Sequence, residues 1–415
     1  MRKIIIISFL FFSVFAGYAQ QFEEPKVESE SFTKVKVEVG GDFAIQYQAL
    51  DHEANNPGYP LIALGSNLNL PTANFNLNTL LAPGIKVNLE TYLSSRHHNE
   101  AWVKGGYLLI DKMPFLPASD KMMEYLTIKA GVMHPNVGDH HFRRSDNGSV
   151  LRNTFVGNYI LDDYSTNTGV EVMFRNNGWL LMGGVNNGTL NPALATTKGT
   201  GEGKEYIERN MVEELAFVWK ASYDKQISEV FRLRATLSGS HQGETISGSL
   251  HSGDRTGSRY YFVMNRQAGD GSEFDVSKNF TSGNFSPGSF TKDNTLVANL
   301  LLKYSGLELF GTFEKAKGIT TRAVDYDFVQ FAMEAIYRMG KQQQWFLGAR
   351  YNTVANKETS PQMQVSRVQF AGGWFMTKNV VMKLEYVDQK YENFTATYGD
   401  KAGFSGFMLE AGISF

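Results

Sequence analysis

The sequence contains no cysteine among its 415 residues. Disulfide bonds, thiolate metal ligands and a cysteine nucleophile are therefore excluded, and so is lipid attachment through an amino-terminal cysteine. A large excess of one charge sign is also lacking, because 40 basic residues face 42 acidic ones. A chain so close to neutrality predicts no nucleic-acid partner.

Long apolar runs are lacking after the amino terminus, so we expect no transmembrane helix. The terminus itself has the parts of a secretory signal: the basic pair Arg2–Lys3, the apolar run Ile4–Phe15, and small residues before Gln20. We predict a signal peptide over residues 1–19. Its removal takes away two positive charges, so the formal net charge changes from -2 to -4.

Proline is also scarce, with 11 residues against 40 glycines, 30 phenylalanines and 19 tyrosines. An exported chain of this composition without a membrane helix is typical of an all-β protein. A large barrel and a pair of soluble sandwiches both fit its length.

The carboxyl-terminal segment Phe404–Phe415 alternates large apolar with small or polar side chains. Because neighbouring residues of a strand point to opposite faces, one face of this segment suits hydrocarbon and the other suits water. The hydrocarbon face would carry Phe407, Leu409, Ala411 and Ile413. An edge strand of a soluble sandwich would show the same pattern, so this segment alone leaves both folds open.

Similar alternation predicts about 16 strands along the chain, an even number typical of bacterial outer-membrane barrels. The predicted strands are 42–49, 73–80, 85–93, 101–110, 125–133, 169–175, 179–187, 211–222, 229–242, 294–304, 307–315, 328–339, 344–354, 364–376, 379–392 and 404–415. Short connections alternate with longer ones, as periplasmic turns and outer loops do in a barrel. Two links break this rule, because 96–100 is a short outer loop and 111–124 is a long periplasmic turn.

Four tryptophans lie near the predicted periplasmic turns, where an interfacial girdle is expected. They are Trp179, Trp219, Trp345 and Trp374. We therefore predict a transmembrane antiparallel β-barrel over residues 33–415, preceded by a periplasmic extension over residues 20–32.

The third outer loop, Met133–Thr168, is the densest polar segment of the chain. We expect it to fold into the lumen, where its cationic side chains would lower the barrier for anions. Its arginines are Arg143, Arg144 and Arg152, whose planar donors match phosphate or carboxylate oxygens. The alternative is that Arg143 and Arg144 pair with Asp139 and Asp146 and only pin the loop to the wall.

Every second residue of each predicted strand faces the lumen, and among these residues the basic and acidic side chains nearly balance. This balance favours a general pore of modest selectivity. We predict a constriction that binds anions and a pore lining formed by lysines. The constriction comprises Arg143, Arg144, Arg152, Arg232, Arg234, His140 and His141, and the lining comprises Lys86, Lys104 and Lys129.

Two histidine pairs, His97–His98 and His140–His141, raise the question of a metal site. Adjacent residues of a strand point to opposite faces, so neither pair chelates an ion easily if extended. We predict hydrogen bonding between loop and wall for these residues, and no metal and no cofactor.

Three segments, residues 93–107, 138–148 and 155–162, resemble the outer-membrane porins of Bacteroidetes that are grouped with the phosphate-selective porins O and P. The resemblance is close over residues 40–190 and elsewhere rests on architecture. It implies a homotrimer of 16-strand barrels, an inward-folded loop and a preference for anions, with phosphate as a candidate solute. It also implies that the strand ending in Phe415 is recognised by the barrel-insertion machinery.

Together these patterns predict a passive diffusion channel of the bacterial outer membrane, in contact with its lipid, for small hydrophilic solutes with an anion preference. We expect no enzymatic activity. Two alternatives remain: a lipase-like barrel enzyme, which would need a serine, a histidine and a carboxylate held together on the wall, and a structural or adhesin barrel with a filled lumen.

Overall fold

The computed structural model describes residues 21–26, 32–94, 101–189, 195–198, 205–208, 214–253, 258–267 and 281–415. The predicted signal peptide, the pair His97–His98 and the link 96–100 lie outside these residues.

Sixteen long strands form the wall, numbered here in chain order. They are β1 Lys36–Ala54, β2 Thr72–Ala82, β3 Ile85–Ser94, β4 Ala101–Ile110, β5 Leu126–Met133, β6 Asn167–Asn176, β7 Trp179–Asn186, β8 Ala216–Gln226, β9 Phe231–Gln242, β10 Phe290–Tyr304, β11 Leu307–Thr320, β12 Asp325–Met339, β13 Trp345–Asn356, β14 Met363–Thr377, β15 Val380–Glu392 and β16 Ala402–Ser414.

Each strand pairs antiparallel with its neighbours in sequence, and β1 closes the sheet by pairing with β16 from Asp42 opposite Ser414 to Ala54 opposite Ala402. A two-residue strand, Asn67–Leu68, lies beside β1. A small hairpin, Ala195–Lys198 with Glu205–Glu208, belongs to the link between β7 and β8. Because the sheet closes on itself, the backbone N–H and C=O groups of every wall strand are hydrogen-bonded to a neighbouring strand. A strand in lipid requires this, since hydrocarbon offers no hydrogen-bond partner.

The two faces of the wall differ as the alternation predicts. In β16, Phe407 and Leu409 are 53% and 41% exposed, whereas Met408 and Glu410 are fully buried. Similar exposed apolar side chains surround the barrel. The prediction of an antiparallel transmembrane barrel of about 16 strands is confirmed, and this architecture belongs to the bacterial outer membrane.

The described residues contain no helix long and apolar enough to cross a membrane.

The periplasmic turns are short except for the long link between β4 and β5. Asn177 and Gly178 between β6 and β7 have φ angles of +47° and +88°, which fits the tight turn that Asn-Gly favours in hairpins. Trp345 and Trp374 lie opposite each other on β13 and β14 and stack with ring centroids 4.8 Å apart. Stacked aromatic rings near the turns are typical of an interfacial girdle.

Strand β8 differs from its prediction, since it begins at Ala216 and continues to Gln226. Residues 223–228 were predicted to form the turn between this strand and the next. In the barrel Asp224 pairs across the hairpin with Arg232 at 2.7 Å, so a polar residue continues the inward face of the strand. Trp219 consequently lies within β8, away from the turn.

Candidate functional site in the barrel interior

The third outer loop contacts the wall through residues of several strands. The backbone N–H of Gly138 donates to Ser238 Oγ at 2.8 Å, that of Val156 to Glu385 at 2.8 Å, and that of Ile160 to Asn352 at 2.7 Å. The contacted residues lie on β9, β15 and β13 and are fully buried, whereas their sequence neighbours Leu237, Tyr351 and Leu384 are exposed on the lipid face. The loop therefore lies against the inner face of the wall.

Arg143 forms ion pairs with two carboxylates of the wall. Its Nη2 lies 2.7 Å from Glu308 on β11 and 2.9 Å from Glu334 on β12. Glu334 also contacts Arg350 at 2.8 Å and accepts a hydrogen bond from the Tyr159 hydroxyl at 2.5 Å. All these side chains are buried, a setting in which a charge must be paired to be tolerated.

Arg144 makes its main contact within the loop. Its Nε and Nη2 donate to the two oxygens of Asp162 at 2.8 and 2.7 Å, a bidentate pair. The guanidinium also lies over the Tyr164 ring at 4.1 Å, and Asp146 lies 3.5 Å from it. Both neighbouring arginines thus have carboxylate partners, and Arg143 contacts the wall through glutamates of β11 and β12.

Asp139 has basic partners on the wall. It accepts hydrogen bonds from Arg234 at 2.7 and 2.8 Å and from Thr236 at 2.5 Å, and it lies 3.2 Å from Lys220. Burial by itself would raise the pKa of the Asp139 carboxyl, but the charges of Lys220 and Arg234 hold it below its ordinary value. Asp139 is therefore ionised and joins the loop to β8 and β9.

The two histidines of the loop have different surroundings. His140 is fully buried, and neither ring nitrogen has a hydrogen-bond partner. His141 places Nδ1 at 3.1 Å from the Val137 carbonyl and packs its ring against Phe142 at 3.8 Å. Burial lowers the pKa of both imidazoles, so neither adds positive charge near neutral pH.

The fifth outer loop, residues 243–289, also contacts the inner face, which the sequence analysis missed. The Tyr260 hydroxyl donates to Glu385 at 2.7 Å, Arg259 Nη2 lies 2.9 Å from Glu410, and the Tyr261 N–H donates to Gln48 at 2.8 Å. The aromatic run Tyr260–Phe262 was a signal of this burial, since such a run is unfavourable in a loop exposed to water.

The segment Gln21–Lys26 contacts the interior near the periplasmic turns, and its part in the site was also missed. Glu23 lies 2.9 Å from Arg234 and 3.3 Å from Lys220, and Phe22 packs against the Arg234 guanidinium at 4.1 Å. Lys26 donates to the carbonyl of Met123 at 2.5 Å, in the one-turn helix Asp120–Met123 of the long inner turn. Through Glu23, the segment thus adds a further carboxylate to Lys220 of β8 and Arg234 of β9.

A less buried part of the interior follows β2 to β5. Its residues are inward-facing, polar and only partly covered, and we call them the polar strip: Asn76, Asn78, Lys86, Asn88, Glu90, Tyr107 and Lys129. The side chains of Lys86 and Glu90 are 28% and 27% exposed. Lys129 lies over the Tyr107 ring at 4.0 Å. Arg152 of the third outer loop is exposed, unlike the other two loop arginines.

The remaining predicted residues lie at the edges of this strip. Lys104 is 7% exposed, lies 3.6 Å from Glu90 and forms an ion pair with Asp146. Lys86 lies 3.4 Å from Glu24 of the amino-terminal segment. The structure thus brings the three predicted lining lysines together along β3 to β5, whereas Arg143, Arg144 and Arg234 lie in separate buried ion pairs.

Comparison with known proteins shows the fold. The structure is similar to that of an anion-selective porin from Comamonas acidovorans, with 11% identity, a TM-score of 0.53, and coverage of 92% of this chain and 100% of that chain. It is also similar to the outer-membrane channel DcaP of Acinetobacter baumannii, with 11% identity, a TM-score of 0.52, and coverage of 94% and 99%. OprB of Pseudomonas putida is a third similar structure, with 10% identity, a TM-score of 0.50, and coverage of 92% and 94%. The sequence matches no protein-family model and no curated protein.

Proposed function

We propose that the chain is a porin-type channel of the outer membrane through which small hydrophilic solutes diffuse passively along the polar strip. The observation that carries this proposal is the difference in burial within one interior: β2 to β5 keep a partly exposed row of polar side chains, while loops cover most of the opposite wall. A polar, wetted lining replaces part of the hydration that a solute loses on entry. The similarity of the fold to an anion-selective porin and to an outer-membrane channel supports this proposal.

We also propose an anion preference, with phosphate as one candidate solute. Its source is Lys86 and Lys129 of the strip together with the exposed Arg152, which interacts electrostatically with Glu90 and Tyr107 of the strip. Glu90 and Glu24 limit the size of the preference. In this proposal Arg143, Arg144 and Arg234, with His140 and His141, position the third outer loop and shape the constriction. Arg232 instead pairs with Asp224 at the end of β8. One structural neighbour is named as an anion-selective porin, which is consistent with such a preference.

The test of the anion preference is the reversal potential of the reconstituted protein in a salt gradient. Arg152→Gln should shift the potential toward cations, most clearly at low salt, where screening is weak. Arg322→Gln is the matched control, because Arg322 is an exposed arginine of the link between β11 and β12. An equal shift in both variants would mean that general surface charge sets the selectivity.

Block of chloride current by millimolar phosphate would support a phosphate site, and no block would leave a general anion channel.

Two finer proposals come from the resemblance of residues 40–190 to the porins O and P. The chain would assemble as a homotrimer, and its last strand would be recognised by the insertion machinery through Phe415, whose side chain is exposed. Native mass measurement after extraction in mild detergent tests the trimer. A single-barrel mass would contradict it.

A structural barrel is the second candidate, because inward-facing charged side chains of β13 to β15 are completely covered. Arg350, Arg367 and Lys383 are each at most 2% exposed. Liposome swelling with neutral sugars of increasing size separates the two functions. A channel admits the smaller sugars, whereas a filled barrel admits none.

A further inference from the structure

We propose that His140, Asp163 and Glu314 form a buried binding site for one divalent transition-metal ion, such as Zn²⁺. One ligand atom from each residue lies within 4.8 Å of the other two. His140 and Asp163 belong to the third outer loop, and Glu314 belongs to β11. All three side chains are buried, with exposures of 0%, 1% and 0%.

Both ring nitrogens of His140 are buried without a hydrogen-bond partner, and one of them lies within 4.8 Å of an oxygen of each carboxylate. Oδ2 of Asp163 and Oε1 of Glu314 have no donor among the neighbouring groups, and the two carboxyls face each other. Buried polar atoms in proteins are nearly always paired, so a cluster of unpaired ones requires an explanation. An imidazole nitrogen and two carboxylate oxygens all offer lone pairs, and a bound cation would satisfy them together.

The outer oxygens of both carboxylates are held by neighbouring side chains. Asp163 Oδ1 lies 2.5 Å from His251 Nδ1, and His251 Nε2 lies 3.0 Å from Asp293. Glu314 Oε2 accepts a hydrogen bond from Gln330 at 3.0 Å. Each carboxylate is therefore fixed through one oxygen by a neighbouring side chain, as metal ligands oriented by an outer layer of hydrogen bonds are. The two carboxyls also face each other, an arrangement that a bound cation would stabilise.

The ligand set selects the class of ion. A nitrogen ligand with two carboxylates suits zinc and similar first-row ions, whereas Mg²⁺ and Ca²⁺ prefer oxygen alone. The double positive charge would match the two carboxylates in a site closed to bulk water. Three protein ligands leave a fourth position for water, and bonds of about 2.0–2.2 Å require the ligand atoms to close slightly around the ion. The ion would then clamp the third outer loop to β11.

Metal content of the folded full-length protein tests the site. The purified barrel is stripped with EDTA, incubated with Zn²⁺, passed over a desalting column and analysed for zinc by mass spectrometry. Wild-type protein should retain one ion per chain, and His140→Gln and Glu314→Gln should lose it. His141→Gln is the matched control, because His141 is the adjacent histidine and contacts the Val137 carbonyl instead. His251→Gln should weaken zinc affinity by about 10–100-fold, as loss of an outer-layer partner does.

Two results would overturn the proposal. One is equal zinc retention by wild type and His140→Gln, which would place the metal elsewhere. The other is no retention by wild type, which would mean that Asp163 and Glu314 share a proton instead. Heat-modifiable migration in gels reports whether each variant is folded. If the variants do not fold, X-ray absorption of the zinc-loaded wild type decides, since a spectrum without an imidazole ligand contradicts the site.

Discussion

Replacing Arg143 with methionine should destabilise the barrel and leave its ion selectivity unchanged. The Arg143 side chain is 4% exposed and lies between Glu308 and Glu334 at 2.7 and 2.9 Å. Glu334 keeps Arg350 as a partner, whereas Glu308 loses this ion pair and stays buried. Removal of one partner from a buried ion pair costs about 3–5 kcal/mol, because the other charge is left uncompensated.

The free energy of unfolding can be measured by denaturant titration of the reconstituted protein, followed by tryptophan fluorescence. Arg322→Met is the matched control and should change the stability by less than about 0.5 kcal/mol, since Arg322 is exposed. The double variant Arg143→Met with Glu308→Gln should recover part of the loss, because the uncompensated charge is gone. An unchanged unfolding midpoint in Arg143→Met together with an altered reversal potential would refute the reasoning and would assign Arg143 to the solute path.

Three further predictions concern the wall and the amino-terminal segment. Leu409→Arg places a charge on the lipid face of β16 and should cost about 2–4 kcal/mol if the site is near the midplane, seen as a lower unfolding midpoint in lipid. A charged residue in place of Phe415 should lower the membrane yield, and an unchanged yield would count against a terminal recognition signal. Burial would raise the pKa of Glu23, but Lys220 and Arg234 lower it below its ordinary value of 4.5. The ionised Glu23 carboxylate therefore helps to hold the Gln21–Lys26 segment against Lys220 and Arg234 above pH 4.5. This contribution is lost as the pH falls through the lowered pKa of Glu23. Proteolysis of the Gln21–Lys26 segment should accelerate in acid in the wild type, and a rate independent of pH would contradict this.

The strands of the wall were predictable because each residue of a barrel faces either lipid or the interior. This two-residue period appears directly in the sequence, as β16 shows with Phe407 and Leu409 outside and Met408 and Glu410 inside. Strand ends were less predictable. Asp224 has the character of a turn residue, yet in the barrel its carboxylate pairs with Arg232.

The contents of the interior could not be predicted in the same way. Alternation shows that a residue points inward, but not whether water or protein covers it. Arg350 and Lys86 both point inward, although Arg350 is buried and Lys86 is a partly exposed member of the polar strip. The pairing of Arg143 with Glu334 joins residues 191 positions apart, and no local pattern encodes such a contact.

The same limit explains why the cluster of His140, Asp163 and Glu314 was not predicted. Adjacent histidines on an extended chain point to opposite faces, so the sequence predicted no metal site. His140 instead approaches Asp163 at the other end of the loop and Glu314 on the wall. Only the folded arrangement of loop and strand brings these three side chains together.

The most direct test of the central claim is the conductance of the purified, folded protein in planar lipid bilayers. We expect discrete, ohmic current steps whose reversal potential in a potassium chloride gradient indicates a modest preference for chloride. Absence of steps from protein that is shown to be folded and inserted would contradict a channel function and would identify the chain as a barrel whose loops close the lumen.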